Sequence, residues 1–88
     1  MCEITRINNI PVKSFKFKRT ECGYECKYSY YTIHIERTGN YWWWDVHYKV
    51  TIGYPIAESD LVYSGAATFN QAKKRAIKAL NKWRRENL

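Results

Sequence analysis

His34 and Asp45 are the residues of this 88-residue chain whose types and placement could do acid–base work. Both fall on segments that read as strands of one hairpin, directly opposite each other. A carboxylate beside an imidazole is the arrangement that orients a catalytic base. No Ser or Cys nucleophile falls beside the pair, and the chain has no glycine-rich loop to cradle phosphate. The pair therefore reads as a surface carboxylate–imidazole contact, and the chain as a non-enzyme. The other metal-type residues are Cys2, Cys22, Cys26 and His47. Cys22-Gly-Tyr-Glu-Cys26 has a spacing that zinc tolerates, but a structural zinc needs four ligands. Both histidines fall on strands away from that loop. Three cysteines cannot all pair within one chain, so free thiols with no metal and no cofactor are expected.

A second group of residues offers charge. The formal net charge is +7, and seven of the fifteen Lys and Arg residues lie between Lys73 and Arg85. Only Glu86 opposes them there, whereas the rest of the chain holds 8 basic and 7 acidic residues. The positive field thus belongs to one segment, and it suits phosphates, an anionic membrane surface or an acidic protein. Lys74, Arg75, Lys78, Lys82 and Arg85 share one side of a helix drawn through this segment. They could track a phosphate backbone, or they could be a solvated helix flank.

The third group is aromatic. Trp42, Trp43 and Trp44 open a run from Tyr41 to Ile52 that alternates strictly. Successive strand side chains point to opposite faces. Trp42, Trp44, Val46, Tyr48, Val50 and Ile52 then make an apolar face. Tyr41, Trp43, Asp45, His47, Lys49 and Thr51 make the other. Tyr28, Tyr30 and His34 are expected on that second face, with Phe15 and Phe17 joining it in one of two registers. Exposed aromatics in a cluster mark an interaction site. Stacking on bases, anchoring a protein partner, a lid formed by residues 1–12 or a homodimer through this face would each account for it.

The elements that must position these residues follow from periodicity and turn chemistry. Glu3 to Ile7 could form a short strand, and Asn8 to Pro11 reads as a turn. Lys13 to Arg19 alternates around Phe15 and Phe17 and reads as a strand, Thr20 to Glu25 as a loop, and Cys26 to Arg37 as the next strand. Gly39-Asn40 is a tight hairpin turn. That turn sets Thr38 opposite Tyr41, Ile35 opposite Trp44, Ile33 opposite Val46 and Tyr31 opposite Tyr48 on the apolar face. Glu36 then faces Trp43, His34 faces Asp45, Thr32 faces His47 and Tyr30 faces Lys49. A slip of one residue would destroy the segregation.

Gly53 to Ser59 reads as a loop and Asp60 to Ala66 as a last strand. Thr68 can cap a helix from about Phe69 to Arg85, with Gln71 at the capping-box position. Phe69, Ala72, Ala76, Ala79, Leu80 and Trp83 form its apolar stripe. The expected fold is α+β: an antiparallel β-meander of three to four strands with one C-terminal helix on one face, in the order β-β-β-β-α. Residues 1–88 form a single domain. No apolar run is long enough for a membrane span. The start, Met1-Cys2-Glu3-Ile4, lacks the basic flank and apolar block of a secretion signal, so a cytoplasmic location is expected.

Two families share parts of this pattern. Tyr63 to Leu80, with Ala72-Lys73-Lys74-Arg75-Ala76 at its centre, resembles the closing half of a double-stranded-RNA-binding domain; Phe69 and Asn70 stand where that family has lysines. Tyr31 to Trp83 resembles the three-strand-plus-helix DNA-binding fold of plant AP2 domains and phage-type integrase arms, which lay the sheet in the major groove. Short, basic and aromatic, the chain also has the look of a small phage accessory protein of the anti-defence, anti-CRISPR type. These resemblances imply a non-enzymatic binding domain for nucleic acid or a nucleic-acid-bound protein complex. Lys74, Arg75, Lys78, Lys82 and Arg85 would attract phosphate, and Trp43, Tyr41, Tyr30 and Lys49 would stack or anchor. The alternative is an inhibitor that docks on a host defence protein and blocks its nucleic-acid channel.

Overall fold

The computed structural model describes residues 8–49, 54–59 and 66–88. Five antiparallel strands lie side by side in chain order: β1 (Lys18–Arg19), β2 (Gly23–Tyr28), β3 (Tyr31–Thr38), β4 (Tyr41–Tyr48) and β5 (Ala57–Glu58). One helix, α1 (Phe69–Asn87), covers one face. This is the expected α+β meander with a terminal helix, with five strands among the described residues where three to four were expected.

The β3–β4 hairpin has the expected register in every pair from Thr38↔Tyr41 to Tyr31↔Tyr48. Gly39 takes φ +61 at the first position of the turn, where a type II′ hairpin needs a residue without Cβ. Turn chemistry and apolar alternation demand one alignment, and the strands adopt it. Ile33, Ile35 and Val46 are buried on the helix side.

The region before that hairpin differs from expectation. The segment read as one strand from Cys26 is broken by a turn at Ser29-Tyr30, with Ser29 at φ +54. The strand before this turn begins at Gly23, inside the segment read as a loop. Gly23 is not in a left-handed conformation; it is small because the backbone of its paired strand β3 lies close against it. A Cβ there would lie 2.0 Å from the Ile35 carbonyl oxygen. Residues 12–14 form a single 3-10 turn, and only Lys18 and Arg19 pair as a strand. The turn expected at Asn8 to Pro11 begins later, where the amides of Ser14 and Phe15 bond the carbonyls of Pro11 and Val12.

Tyr28, Phe15 and Phe17, considered for the open face, pack on the helix side instead. Phe15 is buried with its ring 5.1 Å from Tyr28, and Phe17 meets Phe69 edge-on at 5.8 Å. Tyr28 pairs with Tyr31 across a turn where one continuous strand was expected, and the reversal puts it on the face of Tyr31. Ala57–Glu58 pairs with β4 in a segment read as loop, and Ala66 exchanges both backbone hydrogen bonds with Trp42. The strands expected at Glu3 to Ile7 and Asp60 to Ala66, apart from Ala66, lie outside the described residues. So do Val50, Thr51 and Ile52.

α1 starts as its sequence requires. The Thr68 hydroxyl accepts from the Gln71 amide at 3.1 Å, and the Gln71 side chain accepts from the Ala67 amide at 3.1 Å. Two N–H groups at the helix end are satisfied in this way. Ala72 and Ala76 are fully buried, so the helix lies close to the sheet. At one end Phe69 stacks 4.4 Å from Tyr24, and at the other Trp83 lies 5.0 Å from Tyr48. Ile77 and Asn81 are buried too, on a flank outside the expected stripe. Residues 8–12 cover that flank: Asn81 Oδ1 accepts from the Ile10 amide at 2.9 Å, and Asn81 Nδ2 donates to the Ile10 carbonyl at 3.1 Å. No helix of the described residues is long and apolar enough to cross a membrane.

Candidate functional site

The nine residues expected on two surfaces, the basic helix side and the open sheet face, fall into three places. The first is the outer side of α1. Lys74, Lys78 and Arg85 recur at spacings of one and two further turns. They line a shallow groove of about 380 Å³ with Asn9, Ile10 and Val12. Arg85 Nη1 donates to Asn9 Oδ1, and Arg84 donates to the Asn8 carbonyl at 2.7 Å. These arginines therefore hold the N-terminal arm and form a rim to the groove. Lys82 and Arg75 stand on the adjoining exposed side, with Lys82 Nζ 3.9 Å from Glu86. That contact is solvent-exposed, so it holds the lysine only weakly.

The second place is the tip of the β3–β4 hairpin. Tyr41 is 54% exposed and its ring lies 6.3 Å from that of Trp43, which is half-buried. The third is the far end of β4. There Tyr30 sits in the Ser29-Tyr30 turn, 65% exposed and 6.3 Å from Tyr48. Lys49 donates its backbone N–H to the Tyr30 carbonyl at 2.6 Å, and its Nζ lies 5.2 Å over the Tyr48 ring. Tyr30 thus faces Lys49 through the turn and not as a strand pair.

Between these two aromatic ends the open face is polar. Register aligns Lys18, Glu25, His34, Asp45 and Glu58 in one rung across all five strands. His34 Nε2 lies 2.9 Å from Glu25 Oε2 and its Nδ1 lies 3.0 Å from Asp45 Oδ1. The ring is clamped on both sides. His47 Nε2 lies 3.5 Å from the same Asp45 oxygen. His47 was expected on an exposed surface, yet it is 7% exposed, and its strand partner Thr32 is buried beside it. The His34 and His47 rings meet edge to face at 5.7 Å. A pocket of about 110 Å³ adjoins the rung, lined by His34, Glu36, Trp43, Trp44, Asp45, Glu58 and Ser59.

The His34–Asp45 pair was anticipated from the hairpin register, whereas Glu25 and His47 were missed. Glu25 was placed in a loop, so its pairing with His34 could not be read. His47 lies two residues beyond Asp45 on one strand, hence on one face, and that spacing is a usable signal. Cys26, by contrast, points into the core, where burial pushes its thiol pKa above the ordinary value. The histidines and Cys26 are therefore on opposite faces, and Cys22 is exposed in the preceding loop.

The arrangement is electrostatically two-sided. Cations occupy the outer helix face, while Glu25, Glu36, Asp45 and Glu58 lie on β2 to β5 around the open sheet face, with Lys18 in the same rung and Lys27 Nζ 3.8 Å from Glu25. Comparison with protein-family models, with curated proteins and with solved structures finds no match to this chain.

Proposed function

We propose that this protein is a non-enzymatic binding domain that engages nucleic acid, free or within a nucleoprotein complex, through the outer face of α1. The observation that carries this reading is the stripe of Lys74, Lys78 and Arg85, flanked by Lys82 and Arg75, on a helix whose one acidic residue is Glu86. A polyanion is drawn to that side and repelled by the carboxylates of the sheet face. The phosphate contact is then separate from Trp43, which lines the acidic pocket, and from Tyr41 beside it.

The test is a salt titration of binding to fluorescent duplex and single-stranded DNA and RNA. With four phosphates contacted, affinity should fall about a hundredfold between about 50 and 200 mM salt. The Lys74→Glu/Lys78→Glu variant, changed at exposed positions, should lose binding to every polymer alike. Retention of no polymer at about 50 mM salt would falsify this reading.

One observation favours a second reading. Tyr41 and Trp43 project as an aromatic pair at a hairpin tip, the kind of anchor that dominates protein interfaces. An inhibitor docking on a host defence protein would lose more from Trp43→Ala than from Lys78→Ala, and would leave free polymer unbound.

A further inference from the structure

Two imidazoles converge on one carboxylate oxygen. His34 Nδ1 is 3.0 Å and His47 Nε2 3.5 Å from Asp45 Oδ1. One ligand atom from each of these three residues can be chosen so that all lie within 4.8 Å of one another. A tetrahedral zinc ion with bonds of about 2.0–2.2 Å holds its donors roughly 3.3–3.6 Å apart. Two edges of the trio are already near that length. We propose that His34 Nδ1, Asp45 Oδ1 and His47 Nε2 form a three-ligand site for a divalent transition metal of the zinc class.

Two further observations point to the same ligand. The outer nitrogen of His34 is held by Glu25 at 2.9 Å. A carboxylate on the far nitrogen is the partner that metal-bound histidines keep, because it fixes the ring's tautomer and direction. His47 is 7% exposed, and its Nε2 has only the long contact to Asp45 among the described residues; its Nδ1 lacks there the second partner that His34 has in Glu25. A buried imidazole so poorly satisfied is uncommon, and a metal bond at Nε2 would offset its desolvation.

The donor set selects the ion. Two nitrogens and one oxygen suit zinc, cobalt or nickel, whereas calcium and magnesium take oxygen ligands. The three residues sit on two neighbouring strands, with His34 and Asp45 directly paired, so little backbone need move. A fourth position remains for water or for a group from a partner. The want of four ligands that argued against zinc at Cys22 and Cys26 concerns a different set of donors. The competing account is a ladder of ion pairs, in which His34 carries both ring protons and bridges Glu25 to Asp45.

The test uses the whole chain, stripped of metal by a chelator and titrated with Zn²⁺ by calorimetry and with Co²⁺ by absorption. One ion per chain is expected, with the visible bands of tetrahedral cobalt and no thiolate charge-transfer band. Glu25→Gln should weaken zinc binding roughly tenfold or more, and His34→Ala should abolish it. His34 is half-exposed, so its loss threatens the fold less than loss of buried His47, and circular dichroism checks each variant. The wild-type cobalt spectrum decides even if a variant unfolds. Absence of stoichiometric zinc binding overturns the proposal. So does a cobalt spectrum dominated by thiolate, or zinc affinity unchanged in folded His34→Ala.

Discussion

Replacing Gly23 with alanine tests how closely β2 and β3 approach. Gly23 has no left-handed φ, so alanine can adopt its backbone conformation. On conformational entropy alone, the change should stabilise the protein by about 0.4–1 kcal/mol. The structure predicts the opposite sign. The new Cβ would stand 2.0 Å from the Ile35 carbonyl oxygen and 2.9 Å from Glu36 Cα, both backbone atoms that cannot rotate away. A relaxed contact lies near about 3.5 Å, so the strands must part by more than an ångström at this end. Overpacking of this kind costs about 1–3 kcal/mol. Loss of one or two ladder hydrogen bonds adds about 0.5–1.5 kcal/mol each. Set against the entropy gain, the net loss is roughly 2–4 kcal/mol. For a domain of this size that lowers Tm by roughly 8–30 °C. Thermal unfolding followed by circular dichroism measures it. An alanine variant as stable as the parent, or more so, refutes the close-approach reading of β2.

The remaining predictions concern single contacts. Asn81→Leu keeps the side-chain shape but strands the Ile10 amide and carbonyl, so a loss of about 1–3 kcal/mol is expected; hydrogen exchange at Ile10 should quicken, and unchanged protection would show that the clasp is idle. Thr68→Ala removes the helix cap and should cost about 1 kcal/mol in denaturant unfolding. Under native conditions an alkylating agent should modify Cys22 and spare Cys26, as peptide mapping would reveal. The Cys26 pKa is raised by burial, so its contribution is complete below the unfolded thiol's pKa and is lost as pH rises through the folded value. Cys26→Val should therefore lose less stability than the parent between about pH 7 and pH 10; parallel losses would contradict that sign.

The β3–β4 hairpin and α1 were legible because two independent signals agreed in each. A glycine turn and strict alternation fixed the register around Ile35↔Trp44, and a capping threonine preceded a 3.6-residue stripe ending at Trp83. The β2–β3 hairpin was illegible because its turn is Ser29-Tyr30, and a tyrosine within a β-rich run looks like strand. That one miss moved Tyr28 to the wrong face and hid Glu25 from His34. Ile77 and Asn81 were missed for a different reason. Their flank is buried by residues 8–12, a contact spanning 71 positions that no local period encodes. Of the candidate site, the cations were read correctly as sharing a helix side. Their separation from Trp43 followed from the helix covering the face opposite that residue.

The rims of the sheet carry a last consequence. Each outer strand of the described residues, β1 and β5, contributes only two paired residues. An intruding chain finds almost no unpaired ladder to extend, and β1 presents two cations, Lys18 and Arg19, at its border. β3 is paired on both sides, and the outer edge of β4, which carries the tryptophans, meets β5 at Asp45 and Val46 and Ala66 at Trp42. Growth of fibrils by lateral addition is thereby discouraged in a molecule rich in β-prone aromatics, and self-association is left to its broad surfaces.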